Sequence, residues 1–362
     1  MLNASPNKPA FDSDRAGAFA EQVMDVINKG SAAAMISIGH RLGLFATLAG
    51  MRPASSAEIA AAAGLAERYV REWLAVMVTS GVVHYEPKRG TYLLPAEHAA
   101  CLTPAGSLGN LAVYGQHVAL LGEVQERLIA LFRQGGGTSY ADYPCFHQIM
   151  AEDSGQSVIA PLFDHVLPLA KGIDARLAAG IDVLDAGCGR GAALIAMAAR
   201  YPASRFVGYD LGGDAIDFAT RFAREMGLAN ICFEQRDLTG FDDKARFDFV
   251  TSFDAVHDQK DPAAFIKSLH DALKPGGIYL MQDIGGSARL ENNLDFPMAS
   301  LLYAMSCAHC TPISLGQGGA GLGTMWGWET AERMLKDAGF VRVAMQRLAH
   351  DPMNVWFVSE KA

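Results

Sequence analysis

The 362-residue chain is short of positive charge, of cysteine and of long apolar runs. Lys and Arg number 30 against 39 Asp and Glu, a formal net charge of −9 with a pI near 5.6. A surface of that sign does not attract nucleic acid or an anionic membrane by bulk charge. No stretch approaches the roughly 18 uninterrupted apolar residues of a membrane span. The opening MLNASPNKPAFDSDRAG also lacks the apolar centre of a secretory signal, so a cytoplasmic protein without membrane partners is expected. The six cysteines, at 101, 145, 188, 232, 307 and 310, are irregularly spaced, which excludes a disulfide framework and leaves free thiols. Cys307-Ala-His-Cys310 is a C-x-x-C, but no second pair stands at zinc-site spacing, and no metal is expected.

What is present is a cofactor signature. Val183-Leu-Asp-Ala-Gly-Cys-Gly-Arg-Gly191 is an apolar strand that ends in an acid and breaks into glycines at 187, 189 and 191, before the helix-forming run Ala192–Tyr201. Glycine tolerates positive φ and lets a ligand approach the backbone. Phe206–Asp210 reads as a second strand with an acid at its carboxyl end, about 20 residues on, where a ribose is held. Ile231–Phe233 then precedes Asp237-Leu238, an acid placed for an adenine amino group with an apolar neighbour for the ring. Phe247–Val250 leads to Asp254 and His257-Asp258, and Leu273-Lys-Pro-Gly-Gly277 turns into Ile278–Met281. Two strands, Phe340–Met345 and Asn354–Val358, close the chain around Asp351-Pro352.

Gly187, Gly189 and Ala192 also satisfy a relaxed dinucleotide motif, which is weak alone. Gly316, Gly318 and Gly321 fit G-x-G-x-x-G outright, but no strand precedes them and a flexible loop is expected there. The five ordered motifs over residues 176–362 resemble the class I S-adenosylmethionine-dependent methyltransferases. The resemblance implies an α/β, Rossmann-like seven-stranded sheet and S-adenosyl-L-methionine as cofactor. It places Asp185, Gly187 and Gly189 at the methionine end, Asp210 and Leu211 at the ribose, Asp237 and Leu238 at the adenine, and Phe253 on the cofactor's other side.

Four segments are expected: a disordered tail (1–16), an all-α/winged-helix domain (17–108), a helical connector (109–178) and the cofactor-binding domain (179–362). Apolar residues recur at helical spacing from Ala18 to Leu48. Ser55-Ser-Ala-Glu58 is a capping box, Val70, Trp73, Leu74 and Met77 share one helical face, and Val82–Tyr85 and Thr91–Leu94 flank a turn. Helix, turn, helix and hairpin make a winged helix. A DNA reader should be basic, whereas residues 1–110 carry nine basic and nine acidic residues. The domain resembles the dimerisation domain of small-molecule O-methyltransferases, which implies a homodimer with Ala32–Phe45 facing the partner; nucleic acid is not expected. In the connector, Leu111–Phe132, Phe146–Met150 and Val158–Leu177 read as helices. Gly135–Gly137 beside Tyr140, Tyr143, Phe146 and His147 reads either as a lid that excludes water or as a loop whose aromatics pack inward.

Methyl transfer to oxygen needs a base. His257 follows the fourth strand at its carboxyl end, where ligands bind in doubly wound sheets, and Asp248–Gln259 lines up with the plant-type O-methyltransferase segment that supplies the catalytic His. Gln259 departs from that pattern, which has a bulky aromatic there. Glu329 is a candidate partner for His257 or a helix-capping acid. Tyr303, Met305, Cys307, His309, Cys310, Met325 and Trp326 are candidates for an acceptor pocket, with His309 a second base or substrate contact. Three alternatives stay open: a transcriptional regulator using the fold as a ligand sensor, an S- or N-methyltransferase needing no base, and a fold that has lost its activity.

Overall fold

The computed structural model describes residues 11–106, 109–143 and 145–362, in two compact units, Met1–Ala119 and Leu120–Ala362. In the first unit the Asp12 carboxyl accepts the backbone N–H groups of Asp14 and Arg15, both at 3.0 Å, and starts a 29-residue helix, Ser13–Arg41. That cap places the helix start inside the segment expected as tail; residues 1–10 of that tail lie outside the described residues. Gly39 lets the helix approach Trp73 closely, since a Cβ there would stand 2.4 Å from the Trp73 ring. The Trp73 indole N–H donates to the Met35 carbonyl at 2.8 Å.

The winged-helix pattern is present. Ser55 and Glu58 form a complete capping box on Ser56–Ala63, and helix Glu67–Thr79 buries Val70, Trp73, Leu74 and Met77. The antiparallel strands β1 (His84–Glu86) and β2 (Thr91–Leu93) form the wing. Arg71 on the second helix binds the same helix's Glu67 at 2.7 Å, and Arg68 pairs with Glu72. The expected partner-facing stretch needs correction: Ala32, Leu44 and Phe45 are buried, and the two last are part of this unit's own core. Within the same stretch Ile38 and Leu42 stay exposed, and further exposed apolar residues of the first helix lie earlier, at Phe19, Val23, Met24, Val26 and Ile27.

The second unit is built on a seven-stranded sheet. Its strands are β3 (Asp182–Ala186), β4 (Arg205–Asp210), β5 (Ile231–Gln235), β6 (Phe247–Phe253), β7 (Leu273–Ile284), β8 (Arg342–Leu348) and β9 (Asp351–Glu360). Their order is β5-β4-β3-β6-β7-β9-β8, with the first five parallel and β9 antiparallel to its neighbours β7 and β8. Consecutive residues of each buried strand serve opposite faces. Leu184, Ala186 and Tyr209 pack with helices Pro262–Ala272 and Trp328–Ala338, while Val183, Phe206 and Phe249 pack with Ala192–Arg200. The chain turns from β3 to β4 on one side and pairs β6 on the other, so the carboxyl ends of β3 and β6 diverge at the switch point where ligands bind in such sheets.

The connector is only partly as expected. Gly115–Gln134 and Phe146–Ser154 are helices, but Val158–Leu177 is not one helix. Short turns at Gly155–Ile159, Leu162–Val166 and Leu167–Leu169 precede helix Ile173–Ala179. Pro161 and Pro168 lack the N–H groups a continuous helix needs. The apolar face survives the breaks, because Val158, Leu162, Val166, Ile173 and Leu177 still pack beneath the sheet. Among the described residues no helix is long and apolar enough to cross a membrane.

Candidate active site

The glycine turn after β3 is left-handed at Gly187, Gly189 and Gly191, with φ of 80°, 52° and 73°. A Cβ at Gly187 would meet the Ala255 methyl at 2.5 Å, and one at Gly191 the Phe233 ring at 2.5 Å, whereas Gly189 opens onto free space. The backbone is thus closed on two sides and accessible at the middle glycine. Asp210 ties this turn to the next loop: its two oxygens accept from the N–H groups of Gly189 and Gly212, each at 2.8 Å. Asp185 is buried and accepts from the Thr251 hydroxyl at 2.8 Å. Burial, with Asp210 nearby, pushes its pKa up to about 7. A buried acid of that kind is suited to a cationic group.

The adenine and ribose candidates are arranged around the same edge. Leu211 is exposed and its carbonyl accepts from Gln235 at 3.1 Å. Asp237 accepts from the Thr239 N–H at 2.8 Å, and Leu238 is buried with Tyr209 and Phe241. Phe253, at the end of β6, packs edge-on against Trp356 with ring centres 6.1 Å apart.

His257 lies across the switch point, buried in the segment after β6. Its Nδ1 is 2.7 Å from Asp283 Oδ1, so with a carboxyl acceptor that nitrogen carries the proton. The same oxygen accepts from the Trp326 indole N–H at 3.0 Å and from the Ile284 N–H at 2.8 Å. Nε2 stands 3.5 Å from Asp258 Oδ1. Burial lowers the His257 pKa, but Asp283 and Asp258 outweigh it and hold the value well above the usual range. Glu329 is not its partner: it accepts from the Ser287 hydroxyl at 2.6 Å and the Ala288 N–H at 3.1 Å. The partner is Asp283, at the carboxyl end of β7. The signal that marked Asp185 and Asp210, an acid closing an apolar strand, was present there too.

His309 is fully buried beneath the connector. Its ring stacks on Phe146 with centres 3.6 Å apart and meets Tyr143 edge-on at 4.6 Å. Tyr143 donates to the Ala308 carbonyl at 2.6 Å. The tyrosine-rich segment therefore packs inward, and it is anchored: the Thr138 N–H donates to the Pro312 carbonyl at 2.9 Å, and a Cβ on Gly137 would stand 2.0 Å from the Gly316 nitrogen. It also spans both halves of the cleft. The half-buried Tyr140 ring lies against His147 and His309, with centres 5.5 and 5.9 Å away, and His147 Nδ1 lies 3.3 Å from Asp214.

The expected acceptor residues separate into two groups. Tyr303 and Met325 pack with Ile284, Leu302 and Phe296, while Met305 packs with the connector. Trp326 is committed to Asp283. Cys307 is exposed and Cys310 buried, so the C-x-x-C is no clamp. Burial and the facing Asp258 push the Cys310 thiol up to about 11. The second glycine motif lies in a loop, held where the Gly319 N–H bonds the Ser314 carbonyl, the Ala320 N–H the Lys260 carbonyl and the Gly321 N–H the Ser314 hydroxyl.

Comparison with known proteins agrees with this architecture. Residues 30–104 match the Rv2258c-like winged HTH domain, and residues 177–339 match a methyltransferase domain. A ubiquinone biosynthesis O-methyltransferase of Leptothrix cholodnii is 31% identical over 107 residues, covering 29% of this chain. The chain spans 45% of that relative's length, under two thirds. Human N-acetylserotonin methyltransferase, solved in complex with S-adenosylmethionine, superposes with a TM-score of 0.65 at 17% identity, covering 98% of this chain and all of the other. An O-methyltransferase family protein from Burkholderia thailandensis gives 0.63 at 17%, covering 98% and 99%. The chain therefore joins a winged helix-turn-helix domain to a methyltransferase domain, and its fold is that of the class I methyltransferases.

Proposed function

We propose that the chain is an S-adenosylmethionine-dependent methyltransferase that acts on the hydroxyl of a small molecule, with His257 as general base. The observation that carries this reading is the pairing, across one switch point, of an open glycine turn braced by Asp210 with a buried histidine braced by Asp283. The residues fit the cofactor: Gly189 leaves the backbone open to it, and buried Asp185 gains from its positive charge. Bound there, the cofactor supplies an electrophilic methyl group.

The protein's own part is to position and desolvate the acceptor and to take its proton. Asp283 fixes Nδ1 as the protonated nitrogen and leaves Nε2 to take the acceptor's proton. With the cofactor bound, Nε2 would take the acceptor hydroxyl's proton as its oxygen receives the methyl group. A cationic cofactor held near His257 would disfavour the imidazolium and so favour the neutral ring that proton acceptance requires. Tyr140, packed against His147 and His309, would help to exclude water, and Phe253 would flank the cofactor's other side.

We also propose a homodimer through the exposed face of Phe19, Val23, Met24, Val26 and Ile27. The pairing of Arg68 and Arg71 with acids on their own helix supports this over DNA binding. The test is transfer of labelled methyl from S-adenosylmethionine to a panel of phenols and catechols. Product is expected with the parent chain, and His257→Ala should lower turnover about 10²–10⁴-fold with cofactor affinity intact. A fully active His257→Ala would reject the base and point to a thiol or amine acceptor.

A further inference from the structure

Going beyond that reading, we propose that His257 Nε2, an Asp258 carboxyl oxygen and Cys310 Sγ form a binding site for one Zn²⁺ ion. The three residues are buried and their ligand atoms all lie within 4.8 Å of one another. Tetrahedral zinc bonds of about 2.0–2.3 Å put neighbouring donors roughly 3.3–3.8 Å apart. The Nε2–Oδ1 pair is already at 3.5 Å. Closing the rest takes a contraction of about one ångström.

Two of the ligands are also held from behind. Asp283 orients the imidazole through Nδ1 at 2.7 Å, and the Thr324 hydroxyl reaches Cys310 Sγ at 3.1 Å. Outer partners of this type orient metal ligands and tune their basicity. Asp258 Oδ1 supplies a further sign: Asp258 is 8% exposed, this oxygen makes no hydrogen bond among the described residues, and the group facing it is the His257 imidazole at 3.5 Å. A buried carboxyl oxygen facing an imidazole nitrogen and a sulfur calls for a cation.

The donor set decides which cation. Imidazole and thiolate favour zinc over calcium or magnesium, which take oxygen. Three protein ligands leave the fourth position open. The site does not use the C-x-x-C, whose Cys307 is exposed; it joins the segment after β6 to Cys310 alone. A nitrogen that ligates a metal cannot accept a proton, so the zinc-filled and proton-accepting forms exclude each other, and zinc acts as an inhibitor of hydroxyl methylation.

The test is Co²⁺ titration of the full chelator-treated chain, read by the thiolate-to-cobalt charge-transfer band. The band should saturate at one ion per chain and be bleached by Zn²⁺. It should vanish in Cys310→Ser and persist in Cys307→Ser. Thr324→Val, which keeps every ligand, should weaken Co²⁺ affinity about 10–100-fold and serves if Cys310→Ser fails to fold. No band, or one that survives in Cys310→Ser, overturns the site, as does an unchanged affinity in Thr324→Val. S-adenosylmethionine titration of the same metal-free protein tests the functional reading separately, since its loss would leave the cobalt result standing.

Discussion

At the scale of single residues, Asp283 is the most heavily used acid of the site, because one of its oxygens receives His257, Trp326 and the Ile284 N–H. Removing it strands buried donors. Asp283→Ala should destabilise the fold by about 3–5 kcal/mol in chemical denaturation. Asp283→Asn keeps the shape but loses the acceptor that fixes the tautomer, so turnover should fall about 10²–10⁴-fold while KM changes little. Glu329→Gln, which touches only the Ser287 and Ala288 side of the loop, should leave turnover unchanged.

Asp185 gives a pH dependence at the same scale. Its folded pKa of about 7 lies above the ordinary 3.8, so its contribution favours the ligand-free fold at low pH and is lost as pH rises toward 7. A cation beside it lowers that pKa, and binding then releases a proton. Affinity for S-adenosylmethionine should therefore rise with pH, by at most about tenfold per unit, and level off above about 7. Calorimetry from pH 5.5 to 8.5 checks this, and Asp185→Asn should flatten the curve.

At the scale of elements, strand endings were legible and helix interruptions were not. Apolar runs closed by an acid located β3, β4 and the site edge, because burial on both faces leaves little room for polar residues before the strand emerges. Asp283 obeys the same rule but was missed, since β7 runs on past Met281 to Ile284. Helical periodicity over 158–177 marked the packed face correctly, yet Pro161 and Pro168 broke the backbone into turns. The triple glycine had two readings, and distance decides between them. Gly137 lies where a side chain cannot fit against Gly316, so Gly137→Ala should lower stability by about 1–3 kcal/mol, measured as a lowered Tm. Contacts such as Tyr140 with His309 join residues over a hundred positions apart, beyond any local pattern.

At the scale of the whole molecule, charge balance and domain order indicated a winged helix used for something other than DNA. The structure adds exposed apolar residues at Phe19–Ile27 to those at Ile38 and Leu42 in the expected stretch. Val23→Asp with Ile27→Asp should convert a dimer into a monomer in light scattering, with unchanged S-adenosylmethionine binding per chain. The function proposed for the methyltransferase domain rests on its cofactor, and calorimetric titration of S-adenosylmethionine into the parent chain and Asp210→Ala tests it most directly. One molecule should bind per chain, and loss of the Asp210 carboxyl, whose two oxygens brace the loops around the site, should weaken binding by at least about tenfold. A parent chain that binds no S-adenosylmethionine, or an Asp210→Ala chain that binds it equally well, would contradict the proposed site.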